Sequence, residues 1–362
     1  RAGTTLYEGA FGTEDGVAPF TLGSASDGGS LAKTLTAAAI LLLVEEGRLD
    51  LDTRARSIAP EFPLPEATVR DLLAHAAALP DYDAFTDLLE AGPVTTPSLL
   101  RAASARGVPS PFPPGEAFAY CNLCYDALRL IVERVENAPP AAVFERRFFA
   151  PLGMNDAFLR PARFADWPTR RVLGFRRDAN GALEPFGVSE NEAFHGASNV
   201  YFSVRDVSAW AEAWAARATA TAPARRLALT PARFGDDVSG ISLGSWYCAD
   251  GAARCHYTGV YNGFFSLAMW DAESGLTVAL VSNVGLPAGL QIDLPRALIA
   301  LAEGRAVDAA ALRAEARPRT KSAPVDPAAL AGSFAGRGLP AFAVEIIDGA
   351  PYLDSDGAPA MR

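Results

Sequence analysis

Two spacings of hydrophobic residues divide this sequence of 362 residues. Between residues 30 and 216, apolar residues recur mostly at the spacing of amphipathic helices, and segments rich in proline and glycine separate the stretches. From Ser242 onward, apolar and polar residues alternate, which is typical of strands that bury one face. The predicted helices cover residues 30–46, 68–79, 96–105, 124–135, 141–149, 203–216 and 294–302.

The predicted strands lie on both sides of the helical part. They cover residues 4–11, 20–22, 243–247, 256–258, 264–270 and 276–283. Strands followed by a helical insertion, more strands and a helix predict one sheet that both ends of the chain complete. The sequence therefore favours an α/β (α+β) fold over residues 1–304, with an antiparallel sheet flanked by helices plus a helical region.

The end of the sequence has a different composition. Residues 305–327 are rich in alanine, arginine and proline with little periodicity, and we predict a linker there. In residues 328–362, apolar segments at 330–334, 341–347 and 351–353 predict strands. A segment this short cannot close a sandwich or a barrel, so we predict the start of a small β domain that is cut short.

Composition excludes two classes of partner. Half of the residues are hydrophobic, which allows a sizeable core, and the longest apolar run, residues 37–44, is far shorter than the ~20 residues of a membrane span. The formal net charge is -10 and the pI is near 4.9. Nucleic acids need a basic surface, so we expect neither a nucleic-acid partner nor a membrane span.

The first candidate for chemistry is the pair Ser30 and Lys33. Residues three apart share a helix face, so the hydroxyl and the amine can meet, and a desolvated lysine can deprotonate a serine that attacks a carbonyl. Of the 32 basic residues only Lys33 and Lys321 are lysines. Arginine cannot act as a base in proteins, so a lysine kept at this position favours catalysis over a plain helix start.

A second polar cluster, Tyr120-Cys121-Asn122, lies between a proline- and glycine-rich loop and a predicted helix. The Tyr120 phenol could relay protons, and the Asn122 amide could hold a substrate carbonyl. Taken alone, however, the pair is more typical of a buried tyrosine followed by an asparagine that caps the helix.

A third cluster, His256-Tyr257-Thr258-Gly259, lies on a predicted strand. Glycine in a strand allows a substrate or another backbone to approach closely. The other two histidines, His75 and His195, are interpreted as structural. We expect three carboxylates to cap helices or turns, namely Asp71, Asp81 and Asp206.

The four cysteines give no metal signature. Cys121 and Cys124 have the spacing of a redox motif, but Cys248 and Cys255 are not arranged as a second zinc pair. The last two flank a short polar segment that predicts a hairpin, so a disulfide across it is possible in an oxidising compartment.

Taken in order, the three clusters resemble the β-lactamase-related serine hydrolases, which include class C β-lactamases, D,D-peptidases, D-aminopeptidases and esterases with a penicillin-binding-protein-like fold. The resemblance spans residues 5 to about 303 and rests on residues 30–37, 45–52, 69–75, 113–122, 151–154, 258–259 and 263–264. Tyr-Cys-Asn and the trailing β unit favour the D-aminopeptidase-like branch.

The resemblance implies roles for individual residues. Ser30 is similar to the nucleophile that forms an acyl-enzyme, Lys33 to its base, Tyr120 to the proton relay and Asn122 to a substrate contact. We expect the oxyanion between the backbone N–H of Ser30 and one on the strand near Val260.

The sequence departs from the family pattern at several places. Ser24 stands at the expected distance from the preceding strand, but Asp27 occupies the position of its lysine, so Ser30 is preferred. The family's His-Thr-Ser-Gly is His75-Ala-Ala-Ala here. The third motif has no lysine, which argues against a dedicated β-lactamase or D,D-peptidase, because those use that lysine to hold a carboxylate.

Two neighbouring residues are candidates for the position of the missing lysine. Spacing from Gly263 favours Tyr257, with His256 behind the strand, while a bulge near Cys255 would bring His256 into the cleft instead. Tyr257, His256, Thr258, Gly259 and Val260 are all predicted substrate-binding residues.

The sequence thus predicts a serine hydrolase that acts on an amide or ester of a small substrate or peptide, without metal or organic cofactor. Alternatives are an acyltransferase on the same fold and a catalytically inactive, penicillin-binding-like sensor. No signal peptide is visible and the N-terminus may lie further upstream. A periplasmic or secreted location is slightly favoured over a cytoplasmic one, and the substrate's identity and the oligomeric state stay open.

Overall fold

The structure, a computed structural model, divides between Ala316 and Arg317 into two compact units. It describes residues 3–107, 112–168, 171–178, 181–187, 189–192, 194–216, 223–234, 237–249, 253–286, 288–316, 332–336, 339–347 and 350–355.

The helices all belong to the first unit in the described part of the chain. They are α1 (Ala32–Glu45), α2 (Ala55–Ile58), α3 (Val69–Leu73), α4 (Thr86–Ala91), α5 (Thr96–Arg106), α6 (Asn122–Glu136), α7 (Pro140–Phe144), α8 (Ala150–Leu152), α9 (Val204–Ala215), α10 (Pro223–Ala228), α11 (Ala288–Ala302) and α12 (Ala309–Ala316). Short 3-10 helices cover Gly29–Leu31, Tyr82–Phe85 and Phe164–Asp166, and a π-helical turn covers Glu145–Phe149.

The strands form four sheets. They are β1 (Ser26–Asp27), β2 (Phe158–Leu159), β3 (Phe175–Arg177), β4 (Leu183–Pro185), β5 (Val200–Phe202), β6 (Pro231–Phe234), β7 (Asp237–Ser242), β8 (Tyr247–Ala249), β9 (Arg254–Tyr261), β10 (Phe264–Asp271), β11 (Leu276–Ser282), β12 (Gly332–Gly336), β13 (Leu339–Ile347) and β14 (Ala350–Ser355). The main sheet is antiparallel in the order β11-β10-β9-β8-β7-β6, and the second unit contributes a three-stranded sheet β12-β13-β14.

Helix α1 lies at the centre of the first unit. Eleven of its fourteen residues are buried, which explains why its sequence is apolar on every side. It packs against α6 and α10. The helix ends at Glu45, one residue before its predicted end, and Gly47 beyond it adopts a left-handed conformation with φ +67°.

Strand β10 is buried along its whole length because helices cover both faces of the sheet. Ala268 and Trp270 belong to the main core, against which α9 packs. Leu267 and Met269 face the other way, into a smaller cluster that includes Ile299 of α11. The sheet therefore separates two apolar layers.

A small sheet with the order β1-β5-β2 holds the chain just before the segment that contains Ser30. Ser26 pairs with Phe202 and Asp27 with Tyr201. The chain passes from this sheet through the 3-10 helix at Gly29–Leu31 into α1.

Three sequence-based predictions of strands are wrong. Residues 4–11 and 20–22 are not strands, so the chain's beginning does not complete the main sheet; Leu6, Tyr7 and Phe11 are 57–79% exposed and bury no face against a neighbour. Residues 243–246 turn between β7 and β8. Helix α12 lies within the predicted linker, of which residues 317–327 are outside the described residues.

Five predicted helices are confirmed within two residues at each end, whereas α11 begins six residues before its predicted start and α3 ends six residues before its predicted end. Ser203 caps α9, accepting from the N–H of Asp206 while the Asp206 carboxylate accepts from the N–H of Ser203. Thr68 and Asp71 form the same arrangement at α3, which is shorter than predicted and ends at Leu73. Within the described residues, no helix is long and apolar enough to cross a membrane.

Candidate active site

Ser30 lies on a tight turn that a buried carboxylate holds. An Oδ1 atom of Asp27 accepts a 2.7 Å hydrogen bond from the N–H of Gly29, and the N–H of Gly28 donates to the carbonyl of Val200 at 2.8 Å. Gly29 has φ +50°, a conformation that favours glycine. The turn presents Ser30 at the entrance to α1.

The turn packs directly against β9. A Cβ atom on Gly259 would lie 1.8 Å from the carbonyl oxygen of Gly28, and one on Gly29 would lie 2.8 Å from the backbone nitrogen of Val260. Ser266 on β10 also donates a hydrogen bond to the carbonyl of Gly28. Only glycine at both contact positions allows the backbones of Ser30 and Val260 to come this close.

Lys33 is fully buried one turn of helix after Ser30. Its Nζ atom lies 3.1 Å from Ser30 Oγ, 2.7 Å from Asn122 Oδ1 and 3.1 Å from the carbonyl oxygen of Ala197. The amide and backbone oxygens can only accept, so they bind two N–H groups of the amine. The third direction at Nζ faces the Ser30 hydroxyl.

Asp81 determines which end of the Asn122 amide faces Lys33. Both carboxylate oxygens of Asp81 accept from Asn122 Nδ2, at 3.0 and 2.8 Å. Because the NH₂ group is bound there, the amide oxygen points to Lys33. Asp81 also caps the following 3-10 helix by accepting from the N–H of Tyr82, so the predicted capping role is confirmed.

Tyr120 completes the group around the serine hydroxyl. Its phenol donates to Ser30 Oγ at 2.8 Å and lies 3.3 Å from the Tyr257 phenol, and its ring centroid is 4.8 Å from Lys33 Nζ. Burial raises the pKa of Tyr120, but the charge of Lys33 and the hydrogen bonds that Tyr120 makes outweigh it. The net effect lowers the pKa of a side chain that is 40% exposed.

Tyr257, rather than His256, occupies the cleft. Tyr257 is buried, bonds to Tyr120 and stacks on Tyr247 with ring centroids 5.6 Å apart. Burial, and secondarily the neighbouring Tyr120, raises the pKa of Tyr257 well above its usual value, which keeps the phenol neutral.

His256 and Thr258 flank Tyr257 on β9 and are not among the described residues that line the cavity beside Ser30, and their predicted contacts with substrate stay predictions. His256 pairs with Met269 and lines a cavity of about 440 Å³ behind the sheet. Thr258 pairs with Leu267, which lines the same cavity.

His75 is structural, as the sequence predicts, and it supports the loop that carries Tyr120. Its ring is fully buried and stacks on Tyr120 and Tyr125, with centroids 4.5 and 4.8 Å away. Nδ1 accepts from the N–H of Cys121 at 3.0 Å. Burial, followed by the charge of Lys33, holds the pKa of His75 well below its usual value, so the ring is neutral. His195 bonds the carbonyl of Arg160 and is also structural.

Asp126 was missed by the sequence analysis. It is fully buried on α6, one turn after Asn122, and accepts from the Tyr82 phenol at 2.7 Å and from the N–H of Ala197 at 3.1 Å. Burial raises the pKa of this carboxyl to about 6. An acidic residue within an otherwise apolar helix face was the available signal, because a buried charge needs partners.

The side chains surround a cavity of about 270 Å³ beside Ser30. It is lined by Ser30, Asp81, Tyr82, Asp83, Asn122, Ala197, Ser198, Val260 and Tyr261. None of these lining residues is basic, and within the described part of the chain no ion pair neutralises Asp81 or Asp83. Ser198 is 4% exposed, and its hydroxyl has no hydrogen-bond partner among the described residues.

Ser24, the other serine weighed as nucleophile, is not part of this group. Its hydroxyl donates to Glu14 at 2.6 Å.

The cysteines form two disulfides. Cys121–Cys124 lies at the start of α6, next to Tyr120, and Cys248–Cys255 joins paired residues of β8 and β9. Among the described residues, no group of three or more histidines, cysteines, aspartates or glutamates could hold a metal ion.

Comparison with known proteins identifies the family. Residues 1–303 match the family described as Beta-lactamase. The chain belongs to the β-lactamase family. It is 30% identical to "Penicillin-binding protein 4*" of Bacillus subtilis over 160 residues (43% of this chain, 36% of that protein), and 26% identical to a "D-aminopeptidase" of Cereibacter sphaeroides over 264 residues (70% and 49%). The chain thus spans half or less of these relatives' lengths.

The fold agrees with that of a solved structure. A penicillin-binding protein from Bacillus halodurans superposes with a TM-score of 0.71 at 23% identity, covering 82% of this chain and 94% of that one. The predicted fold class, a penicillin-binding-protein-like arrangement of helices and antiparallel sheet, is confirmed.

Proposed function

We propose that this β-lactamase-family chain is a serine hydrolase that forms an acyl-enzyme on Ser30. The observation that carries the proposal is that one hydroxyl oxygen lies within hydrogen-bonding distance of both a buried amine, Lys33, and a phenol, Tyr120. A serine hydroxyl needs such an adjacent base to attack a carbonyl.

The contacts fit a division of proton transfers between the two groups. Lys33 donates to Asn122 and Ala197, and the remaining position on its Nζ atom faces Ser30. Lys33 takes the serine proton during attack, and Tyr120 delivers a proton to the leaving amine or alcohol. Water then attacks the acyl-enzyme, with the same groups acting in reverse.

Negative charge on the tetrahedral intermediate requires fixed donors. The backbone N–H groups of Ser30 and Val260 fit this role, because the nucleophile turn packs against β9 at this point. Each such donor contributes about 10²–10³-fold to turnover in acyl-transfer enzymes. Asn122 lines the same cavity while its amide oxygen accepts from Lys33, so it would border the substrate and hold Lys33 in place.

The charge of the cavity favours substrates with a free amine over substrates with a free carboxylate. Asp81 and Asp83 are exposed at the cavity, and its described lining has no basic side chain to bind a carboxylate. Tyr257, a neutral phenol, stands in place of the family's lysine. The D-aminopeptidase among the relatives is consistent with this choice, so we propose aminoacyl amides or esters as the substrate class.

The experiment combines active-site labelling with a substrate panel. A fluorophosphonate probe should label the wild type and fail to label Ser30→Ala, while Ser24→Ala serves as the matched control and keeps full labelling. Amino-acid p-nitroanilides of both chiralities should be hydrolysed faster than nitrocefin. Absence of both labelling and turnover in folded wild type would favour a non-catalytic binding protein.

Added alcohol separates hydrolysis from acyl transfer. A hydrolase gives mainly the free acid in a few per cent methanol, and a predominantly methyl-ester product would replace our proposal with an acyltransferase. Faster turnover of carboxylate-bearing substrates than of their amine-bearing counterparts would refute the proposed substrate class alone.

A further inference from the structure

Tyr120 contacts Ser30, and Asn122 contacts Lys33. A disulfide begins at the residue between them. Cys121 separates Tyr120 from Asn122, and it is bonded to Cys124 in the first turn of α6. Both cysteines are buried, at 1% and 0% exposure. The bond therefore spans the point where the loop becomes a helix and where both polar side chains are placed.

Cys121 occupies the N-cap position of α6, where a side-chain oxygen is normally needed. Serine, threonine, aspartate or asparagine usually accepts there from the N–H two or three residues on. Thr68, Thr95 and Ser203 do so at α3, α5 and α9. At α6 the acceptor is the sulfur of Cys121, 3.1 Å from the N–H of Cys124, and sulfur is a weak acceptor.

The disulfide joins the same two residues that this weak hydrogen bond joins. The N-cap residue and the third residue of the helix are thus held covalently, whatever the strength of the capping contact. We infer that the Cys121–Cys124 disulfide is a covalent replacement for the side-chain cap and acts as the positioning element for Tyr120 and Asn122. The inference rests on the proposed function.

The other side of the loop is held independently by His75. Its Nδ1 accepts from the N–H of Cys121, and its carbonyl accepts from the N–H of Ala119 at 2.8 Å. Breaking the disulfide therefore leaves the loop attached but removes the fixed geometry at the first turn of α6. Asn122, the first residue of that turn, would lose its alignment between Asp81 and Lys33.

The bond also makes the site sensitive to thiols. Reduction by a small dithiol forms two cysteine thiols and oxidises the dithiol to its cyclic disulfide, so electrons and protons balance. The buried sulfurs slow this exchange, because the attacking thiolate must reach one of them. Variants therefore give the decisive test.

Two variants separate capping from mere loss of cysteine. Cys124→Ala leaves a thiol as the only cap, whereas the double variant Cys121→Ser/Cys124→Ala restores a hydroxyl cap without a disulfide. With an amino-acid p-nitroanilide, Cys124→Ala should lose about 10- to 100-fold in kcat with little change in KM, since misplacement by about 1 Å has effects of this size. The double variant should recover to within about threefold of wild type.

The pH profile of kcat/KM should also change in Cys124→Ala. Tyr120 has a lowered pKa only while it stays beside Lys33, so the limb that reports Tyr120 should move to higher pH and return in the double variant. A purely structural disulfide would lower the melting temperature and leave both kcat and this limb unchanged. That result, or a double variant no better than Cys124→Ala, would overturn the inference.

Hydrogen exchange provides a readout that does not depend on activity. Backbone amides of residues 121–125 should exchange faster in Cys124→Ala and return to wild-type protection in the double variant. If wild type proves inactive, the proposed function fails, while exchange still decides whether the disulfide fixes the cap. Treating the double variant with reductant controls for Cys248–Cys255, because only that disulfide remains.

Discussion

Gly259→Ala provides a direct test of the contact between the nucleophile turn and β9. The added Cβ would lie 1.8 Å from the carbonyl oxygen of Gly28 and 2.7 and 2.8 Å from Ser266 Oγ and the N–H nitrogen of Leu31. Real Cβ atoms essentially never approach other atoms closer than 3.0 Å, so the strand or the turn must move by more than 1 Å. Two of the three obstacles are backbone atoms, which cannot rotate away as a side chain could.

This displacement would separate the two proposed oxyanion donors. An error of about 1 Å in a reacting geometry reduces turnover by about 10²-fold, and loss of one oxyanion donor reduces it by about 10²–10³-fold. We therefore expect kcat for an amino-acid p-nitroanilide to fall by about 10²–10³-fold. The Ser30–Lys33 contact joins the 3-10 helix to the first turn of α1 and does not involve β9, so fluorophosphonate labelling should slow but not disappear.

Gly240→Ala is the matched control. Gly240 lies on β7 of the same sheet, and a Cβ there would have no atom within 4 Å. Alanine at such a position is neutral or slightly stabilising. Circular dichroism and the melting temperature establish folding in both variants. A folded Gly259→Ala protein with kcat within about threefold of wild type would refute the proposed oxyanion arrangement.

Three further predictions follow from the site. Lys33→Arg should reduce kcat almost as far as Ser30→Ala, because the guanidinium keeps the charge but has no available lone pair; near-wild-type turnover would show that Lys33 is not the base. Tyr120→Phe should melt near the wild-type temperature but lose about 10²–10⁴-fold in kcat, and a lower melting temperature at unchanged kcat would make the tyrosine structural. Burial raises the pKa of Asp27 to about 7, so the folded state binds a proton that the unfolded state has released, and stability falls as pH rises from about 4 to 7. Asp27→Asn should accordingly raise the melting temperature more at pH 8 than at pH 5, and an equal change at both pH values would contradict the raised pKa.

The sequence was informative where local chemistry determines local structure. The capping carboxylates Asp71 and Asp206, the end of α1 near residue 46 and the alternation along β10 were readable because each depends on neighbouring residues. Spacing from Gly263 favoured Tyr257 over His256, because the two side chains of neighbouring strand residues point to opposite faces. The departures from the family pattern could also be recognised, because each lies within a short motif.

Contacts between distant segments were not readable. Asp81 binds Asn122, which lies 41 residues away in the sequence. Asp126 binds Tyr82 and Ala197, which lie 44 and 71 residues away. Apolar residues near the beginning of the chain had the composition of a strand, but whether a strand forms depends on a partner that composition does not specify. The helix α12 was missed because a run of alanines with a single leucine gave no clear apolar face.

The fit of Gly28, Gly29 and Gly259 has a consequence for how this cleft can diverge under mutation. Any larger residue at these positions meets backbone or a buried ring, so the reaction centre tolerates little sequence drift. Asp83 and Val260, in contrast, are exposed at the cavity and hold no residue of the Ser30–Lys33 group through their side chains. New substrate preferences should therefore arise first at those two exposed positions, and a selection library confined to them would alter specificity without rebuilding the chemistry.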